Sequence, residues 1–215
     1  MTGRGDLPLA KAIEIATAHG VPVIVDGAAQ LPPAENLWKF TQMGATAAIF
    51  SGGKDLRGPQ TTGLVVGRKH LIENMRLNGS PNHSFGRPMK VGKEEMAGVL
   101  AALDRYLKID HEARLARDEQ IVAMWNRAFN SVRGACAERS WPNEAGQPLP
   151  RTLLEIEPDV AGLSRDALVD KLWNGAPAIA VATTGDHGIY FNPMSLTDDE
   201  AKIVSDRVVE LLRSN

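Results

Sequence analysis

The sequence predicts an α/β domain with a mainly parallel sheet, followed by a small C-terminal α+β domain. Over residues 1–92, short apolar runs rich in β-branched residues alternate with amphipathic helical patterns. A nearly continuous helical pattern then covers residues 93–131, and short strands and helices return over residues 132–215. We therefore expect these ranges to form, in order, part of a sheet domain, a set of connecting helices and a separate small domain.

The first range is predicted to alternate helix and strand from its start. The segment "PLAKAIEIATAHG" has a helical pattern that stops at Gly20, because glycine commonly follows a helix C-terminus. Residues 23–25 then predict a buried strand that ends at Asp26. "LWKFTQM" predicts a short helix stopped at Gly44, and "ATAAIF" and "TTGLVVG" predict two further strands. The connection before the last strand is short, which allows one antiparallel pairing there.

The other two ranges have simpler patterns. Apolar residues at helical spacing mark the middle range; they are Met96, Val99, Leu100, Leu103 and Leu107. In the last range, "TLLEIE", "AIAV" and "GIYF" predict strands. Helices are predicted after Ser164 and after Thr197 or Asp198, since these side chains favour helix N-caps. "SWPNEAGQPLP", with three prolines, predicts a loop.

The composition narrows the function classes. The 215 residues are 43% hydrophobic and 23% charged, as in a globular protein, and the formal net charge is -2. With a pI of about 6.2 and no long basic run, no nucleic-acid or membrane partner is expected. The single cysteine, Cys136, excludes an intrachain disulfide and agrees with a cytoplasmic location. The five histidines are scattered, so no metal site is expected.

A glycine-rich loop in "IFSGGKDLRGPQTTGLVVG" places Lys54 between two apolar strands. The simplest interpretation is a solvated loop lysine, because lysine side chains are mostly exposed. A nucleotide-binding P-loop is excluded, since it requires glycine at 48 and Ser or Thr at 55, where the chain has Ala48 and Asp55. A Rossmann-like nucleotide site would need a GxGxxG motif after a strand, which is absent. The third interpretation is a lysine whose amine condenses with a carbonyl group.

Asp26 supplies the partner that the third interpretation needs. Asp26 and Lys54 both follow predicted strands, at the edge where open α/β sheets bind their ligands. Pyridoxal phosphate requires a lysine for its carbonyl and an acid beside its ring nitrogen. Ser51, Gly52 and Gly53 add a hydroxyl and backbone N–H groups suited to a phosphate. An aspartate at a strand end is often only a turn or cap residue, so the combination is what carries the hypothesis.

Three stretches together resemble one enzyme family. They are "VIVDGAAQLPP", "GATAAIFSGGKDLRGPQTTGLVVGRKHLIENM" and "GRPMKVGKEEMAGVLAALDRYL". The chain is similar to the fold-type I pyridoxal-phosphate enzymes, in the branch that contains L-seryl-tRNA(Sec) selenium transferase and D-glucosaminate-6-phosphate ammonia-lyase. The resemblance implies that residues 1–92 are the second half of the cofactor-binding large domain. It also implies that the first half, with most of the phosphate cup, is missing from this chain.

The resemblance implies a role for each matching position. Lys54 would form the Schiff base with pyridoxal 5'-phosphate and move the Cα proton, and Asp26 would pair with the pyridine nitrogen. The implied cofactor-binding positions are Lys54, Asp26, Ser51, Gly53, Gln30 and Ala28. Gln30 departs from the family pattern, because "DGAAQ" places it one residue later than the common "DxAQ". Arg57 and Arg87 would bind an anionic group, although a surface role fits both arginines equally well.

The implied reaction is elimination at Cβ of an amino acid or amino sugar acid, which releases ammonia as an ammonia-lyase does. The alternatives are a transferase like the selenium transferase and a catalytically incomplete fragment or interaction subunit. The low pI favours a small-molecule substrate over a tRNA. Half of a parallel sheet leaves an apolar face uncovered. We therefore expect a homo-oligomer or pairing with the missing N-terminal half, and weak cofactor binding by this chain alone.

Overall fold

In the computed structural model, the described residues are 7–214, and they divide into two units. The first unit comprises residues 7–111 together with Glu144–Gln147. The second comprises Glu112–Asn143 and residues 148–214. Each unit contains its own sheet and its own apolar core.

The first unit is an α/β structure with a three-stranded sheet. Its elements are, in chain order, α1 (Leu9–Ala18), β1 (Ile24–Asp26), α2 (Asn36–Gln42), β2 (Ala47–Ser51), β3 (Gly63–Gly67), α3 (Lys69–Asn78), a 3₁₀ turn (Arg87–Met89) and α4 (Lys93–Lys108). The sheet order is β1-β2-β3, with β1 and β2 parallel and β2 and β3 antiparallel. The predicted α/β class is confirmed, and the antiparallel pairing that the short connection allows is present between β2 and β3.

Two predicted helix stops are confirmed by the backbone. Gly20 follows α1 with φ of 66°, and Gly44 follows α2 with φ of 108°. These conformations are strained for any residue with a Cβ, so glycine allows the chain to leave each helix sharply. Both turns lead directly into the segments that precede a strand, and in this way they set where β1 and β2 begin.

The core of the first unit lies on one face of its sheet. Phe50 and Ala48 of β2 are fully buried there, against Phe40 of α2 and Tyr106 of α4. Side chains alternate between the two faces of a strand, so Ile49 points to the opposite face. Ile49 is 38% exposed, and that face carries part of the unit's exposed apolar surface.

The expectation that β1 is a buried strand is wrong. Its three residues alternate exposed, half-buried and exposed, and Ile24 is 56% exposed. The physical reason is that β1 is an edge strand, hydrogen-bonded only to β2 within the described sheet. Its apolar sequence is that of a strand covered on both faces, whereas only Val25 packs against the core.

The apolar residues of α4 divide in the same way. Val99 and Leu103 are half-buried, and the fully buried positions of the helix are Ala102 and Tyr106. The remaining members of the predicted helical series are exposed; they are Met96 (47%), Leu100 (63%) and Leu107 (53%). The helix is confirmed by its spacing, but its apolar residues do not all face the core.

The second unit is an α+β structure around an antiparallel sheet of order β4-β5-β7-β6. Its elements are, in chain order, α5 (His111–Phe129), β4 (Ala135–Ser140), β5 (Arg151–Ile156), α6 (Pro158–Ala161), α7 (Arg165–Trp173), β6 (Ala182–Thr184), β7 (Gly188–Phe191) and α8 (Asp198–Arg213). The first residue of α5, His111, belongs to the first unit. The strand predicted at "AIAV" is wrong, because residues 178–181 are irregular and β6 begins at Ala182. Neither β4 nor α3 is predicted by the sequence pattern.

The N-caps of the second unit are confirmed. The Ser164 side chain accepts a hydrogen bond from Ala167 N at the start of α7. At α8, Thr197 and Glu200 form a capping box, in which each side chain accepts a hydrogen bond from the other residue's backbone N–H. These local bonds satisfy donors that the first helical turn would otherwise leave unpaired.

Candidate functional site

Lys54 lies in a tight loop that begins directly after β2. The loop is closed by a hydrogen bond from Gly58 N to Gly52 O at 2.8 Å, and a turn inside it joins Arg57 N to Lys54 O at 2.9 Å. The Lys54 side chain is exposed. Within residues 7–214, no hydrogen bond or ion pair engages its Nζ. A primary amine is therefore presented at the C-terminal end of β2.

The residues that follow Lys54 anchor the loop in the core. Asp55 is 3% exposed and Leu56 is fully buried. The hydroxyl of Tyr106, a fully buried residue of α4, donates a hydrogen bond to Asp55 Oδ2 at 2.8 Å. The side chains of Asp55 and Leu56 are thus buried, whereas those of Lys54 before them and Arg57 after them are exposed.

The glycines before Lys54 are required by close packing within the loop. A Cβ on Gly52 would lie 2.0 Å from Thr62 Oγ1, and a Cβ on Gly53 would lie 2.7 Å from Gln60 Cα. Gln60 also donates from Nε2 to Gly53 O at 2.9 Å. The predicted cofactor-contacting residue Gly53 therefore has an intramolecular reason to be glycine, which is contact with the chain at Gln60.

Asp26 ends β1, next to β2 in the sheet. Its register partner is Ile49, two residues before Ser51, so Asp26 and Ser51 lie at the same edge of the sheet. Asp26 Oδ1 accepts a hydrogen bond from Ala28 N at 3.0 Å, which fixes the carboxylate. In the described part of the chain, Oδ2 has no hydrogen-bond partner, and the residue is exposed.

Gln30 and Ala28 belong to the turn that follows Asp26. Gln30 N donates to Gly27 O at 3.0 Å, and the Gln30 side chain donates from Nε2 to Ala145 O at 2.9 Å. Both residues are half-buried. The Gln30 amide is thus engaged by the loop segment Glu144–Gln147, which belongs to the same unit. Its Nε2 holds that loop against the turn.

The two predicted anion-binding arginines occupy different settings. Arg57 has φ of 56°, the left-handed conformation that residues other than glycine seldom adopt, and it follows Lys54 by three positions. Arg87 begins the 3₁₀ turn and donates from Nη1 to Pro81 O. It lines an open surface cavity of about 540 Å³ together with Ser80, Pro81, Pro88 and Lys90.

The segment around Arg87 is locally basic. Residues 68–93 contain Arg68, Lys69, Arg76, Arg87, Lys90 and Lys93, with Glu73 as the acidic residue among them. The chain as a whole is slightly acidic, so its net charge conceals this concentration. A count of charges in a sliding window, rather than over the whole chain, is the signal that would have found it.

The Asp55–Tyr106 pair is a part of the site that the sequence did not predict. Asp55 served there only to exclude a P-loop, and Tyr106 lies 51 residues further along the chain. One signal was available: an acidic residue between apolar strands and directly before Leu56 is a candidate for burial with a hydroxyl partner. The partner itself could not be identified without the fold.

The donor set fits an aldehyde-bearing, phosphorylated aromatic cofactor. Within residues 7–214, it offers an amine and a carboxylate oxygen without intramolecular partners, at the C-terminal edge of neighbouring parallel strands, and the half-buried Ser51 ends β2 at that edge. Over residues 7–214, no group of three or more His, Cys, Asp or Glu side chains is arranged to hold a metal ion. The helices in that range are also too short or too polar to span a membrane.

Comparison with known proteins agrees with this donor set. The family model described as SelA, L-seryl-tRNA selenium transferase, matches residues 8–142. A 5'-C-glycyluridine monooxygenase-decarboxylase of a Streptomyces species is 32% identical over 211 residues, which are 97% of this chain and 51% of the relative. A D-glucosaminate-6-phosphate ammonia lyase of Salmonella typhimurium is 27% identical over 210 residues, with 97% and 53% covered.

A solved structure extends the comparison to three dimensions. The structure of D-glucosaminate-6-phosphate ammonia-lyase superposes with a TM-score of 0.73 at 25% identity, over 98% of this chain and 54% of that one. The chain therefore spans about half the length of the curated relatives that it matches. The resemblance stated from the sequence, including its restriction to part of the family's length, is confirmed.

Proposed function

Because this chain belongs to the L-seryl-tRNA selenium transferase family, we propose that it is part of a pyridoxal-phosphate-dependent lyase acting on an amino acid or amino sugar acid. The observation that carries the proposal is that Lys54, in the loop directly after β2, and Asp26, at the end of its parallel neighbour β1, expose an amine and a carboxylate at the same edge of the sheet. The ammonia-lyase relative and structure support the lyase class.

Lys54 is proposed as the residue that holds the cofactor and moves the substrate's proton. Its Nζ would hold the cofactor through the carbonyl carbon and would accept the proton from the substrate Cα. An exposed side chain on an anchored loop suits both tasks, because the amine is free to move while its Cα stays fixed.

Asp26 is proposed to hold the cofactor's ring nitrogen in its protonated form. When bound, pyridoxal phosphate supplies an electron-withdrawing ring that stabilises negative charge at the substrate Cα. A carboxylate beside the nitrogen keeps that ring cationic. Oδ1 of Asp26 is occupied by Ala28 N, so Oδ2 is the oxygen that remains for this contact.

The other site residues are proposed in supporting roles. Ser51 contributes its hydroxyl, and Gly53 a backbone N–H, to part of the phosphate site. Ala28 would lie against the ring, and Gln30 would donate the second hydrogen of its Nε2 to the ring's phenolic oxygen, because Ala145 O accepts the first. Arg57 and Arg87 are proposed to bind an anionic group of the substrate or cofactor; their guanidinium groups suit carboxylate and phosphate.

Elimination at Cβ is the reaction that we favour for this site. Lys54 would take the Cα proton, the leaving group would depart from Cβ with its bonding electrons, and hydrolysis of the resulting enamine would give ammonia and a keto acid. A selenium-transferase-like activity is the alternative; the net charge of -2 argues against a tRNA substrate, and the basic segment 68–93 argues for it. Competition of a tRNA with a small substrate analogue for binding would separate them.

A second candidate reaction is oxidative decarboxylation. It is favoured by the relative at 32% identity, whose name describes a monooxygenase-decarboxylase. The two reactions consume different reagents, because a lyase needs no oxygen whereas a monooxygenase does. Oxygen uptake during turnover, measured with an electrode, would support the second candidate; ammonia release under nitrogen would support the first.

The proposed assembly is a cytoplasmic homo-oligomer, or a complex with a polypeptide corresponding to the rest of the relatives' length. The exposed apolar residues Ile24 and Ile49, on the face that also bears Asp26, support this part of the proposal. On the same grounds we propose that the chain alone binds the cofactor weakly, since part of the cofactor's surroundings would come from the added surface.

The test compares three proteins mixed with pyridoxal phosphate: the unchanged chain, Lys54→Ala and the matched control Lys69→Ala. Lys69 is an exposed lysine at the start of α3, far along the chain from the site. We expect the visible absorbance of the lysine-bound cofactor with the unchanged chain and with Lys69→Ala, and its loss with Lys54→Ala. Equal absorbance in all three proteins would contradict the proposal.

A further inference from the structure

We propose that Asp55 and Tyr106 are positioning residues that set the direction in which Lys54 leaves its loop. This inference rests on the proposed function, because it concerns the delivery of Lys54 Nζ to the cofactor carbonyl. It adds to that function a buried tyrosine on α4, 52 positions after Lys54 in the sequence, which would determine how the lysine amine approaches the cofactor.

The hydrogen bond between the two residues joins the loop to α4. Tyr106 is 0% exposed and Asp55 is 3% exposed, and their oxygens are 2.8 Å apart. A bond of this length to a carboxylate is among the stronger hydrogen bonds in a protein interior. Since Asp55 is the next residue after Lys54, any shift of the Asp55 backbone moves the Lys54 Cα with it.

Tyr106 is itself held in place from the other side. Its ring packs against that of His111, with centroids 4.5 Å apart, and its carbonyl oxygen lies 3.0 Å from His111 Nε2. A second and longer contact, 3.5 Å from Arg105 Nη2 to Leu56 O, ties the same helix to the same loop. In the proposal, α4 is held in place by these contacts and in turn orients the loop that carries Lys54.

Anchoring by apolar packing alone does not explain a buried carboxylate. Leu56 is already fully buried and secures the loop against the core. Burying a carboxylate costs free energy that a hydrophobic residue would not. The contribution that we assign to Asp55 is therefore a unique loop geometry. Here the geometry includes Arg57 at φ of 56°, an unfavourable conformation that closes the turn on Lys54 O.

The decisive variant is Tyr106→Phe, which removes one hydroxyl and leaves the ring. The matched control is Tyr190→Phe in β7, the same substitution at the other tyrosine of the chain. Asp55→Asn is the conservative partner variant, because its Oδ1 can still accept from the Tyr106 hydroxyl. If Tyr106→Phe fails to fold, Asp55→Ala takes its place, because it removes the acceptor of the same bond.

The first measurement needs no cofactor. Amide hydrogen exchange is followed at Arg57 and Gly58, whose N–H groups close the loop, and at Thr46 as a reference, whose N–H donates to Val23 O in the same unit at 2.8 Å. In Tyr106→Phe we expect exchange at the loop amides to rise about tenfold, the factor that a lost hydrogen bond to a charged group corresponds to. Exchange at Thr46 should not change. A general structural role would instead accelerate exchange at all three amides alike, and that result would overturn the proposal.

The second measurement is the rate at which borohydride fixes pyridoxal phosphate on Lys54, read by peptide mapping. We expect Tyr106→Phe to slow this fixation about tenfold at a saturating cofactor concentration, and Tyr190→Phe and Asp55→Asn to stay within about threefold of the unchanged chain. Rates equal in Tyr106→Phe and the unchanged chain would overturn the positioning role. If the unchanged chain fixes the cofactor elsewhere, the proposed function fails; the exchange result still decides whether the pair orients the loop.

Discussion

The two units contain the same kinds of element but bury them differently. In the second unit, Leu154, Ile156 and Ile189 of the central strands are at most 1% exposed. In the first unit, Ile24 and Ile49 are 56% and 38% exposed. The second unit completes its own core, whereas the unit that carries Lys54 leaves apolar residues exposed on one face of its sheet.

The face with these exposed residues coincides with the proposed site. Ile24 and Asp26 are two positions apart in β1 and share a face, and Ile49 is the register partner of Asp26. The exposed isoleucines on this face support the proposal that it meets further protein in the active assembly.

The largest effect is expected from one substitution made in both units, Ile189→Ala in β7 and Ile24→Ala in β1. Ile189 is 0% exposed, so its truncation should lower the free energy of unfolding by about 2–5 kcal/mol through lost burial and a cavity. Ile24→Ala should cost less than about 0.5 kcal/mol in the chain alone. Denaturant unfolding of both variants measures the difference.

This comparison would break if Ile24→Ala proved as costly as Ile189→Ala. Such a result would mean that the face is already covered in solution, for example by a second copy of the chain. Sedimentation of the unchanged chain then serves as the control. A cost that falls on dilution would identify self-association as the cover.

A second, smaller effect is expected from Gly53→Ala in the lysine loop. The new Cβ would lie 2.5 Å from Gln60 Oε1, which can move away, but also 2.7 Å from the backbone atom Gln60 Cα, which can shift only with the chain. Overpacking of this kind costs about 1–3 kcal/mol. Gly63→Ala in β3 is the control, since its nearest neighbour, Phe50 O, is 3.3 Å away. Equal thermal stability of the two variants would refute the tight loop packing.

The next effect concerns the cap of α8 in the self-contained unit. Thr197→Ala removes a hydroxyl that accepts from Glu200 N, and the loss of such a cap costs about 1 kcal/mol. Thr197→Ser keeps the hydroxyl and should restore most of the stability. If alanine and serine behave alike in denaturant unfolding, the capping bond contributes nothing measurable.

The smallest effect is a change in acid stability. The backbone N–H of Thr197, and then its hydroxyl, donate to the Glu200 carboxylate and lower the pKa of that group. Because the folded pKa lies below the unfolded one, the contribution is present above the ordinary glutamate range and is lost as pH falls through the folded pKa. Glu200→Gln should therefore make the free energy of unfolding depend slightly less on pH over that acidic range. An unchanged pH profile would contradict the assignment.

Local signals in the sequence predict much of the fold. The glycine after α1, the glycine after α2 and the cap at Thr197 each act within a few residues, so the sequence shows them directly. The burial of β1 could not be predicted, because its apolar residues do not reveal which neighbours cover them. For the same reason, the apolar "AIAV" was mistaken for a strand beside the real β6.

The features of the candidate site also separate into those that local sequence signals predict and those that depend on contacts between distant residues. Lys54 and Asp26 follow strands that the apolar pattern locates, so their shared sheet edge could be predicted from order alone. The buried bond from Tyr106 to Asp55 could not, since it joins residues 51 positions apart through the packing of α4. The engagement of Gln30 by Ala145, across 115 positions, is hidden in the same way.

The most direct test of the central claim is to identify the lysine that fixes the cofactor. The chain is incubated with pyridoxal phosphate, reduced with borohydride, digested and mapped by mass spectrometry, with exposed lysines such as Lys11 and Lys69 as internal references. We expect the adduct on the peptide containing Lys54 and only traces on the others. An adduct spread evenly over the exposed lysines would contradict the assignment of Lys54 and, with it, the proposed function.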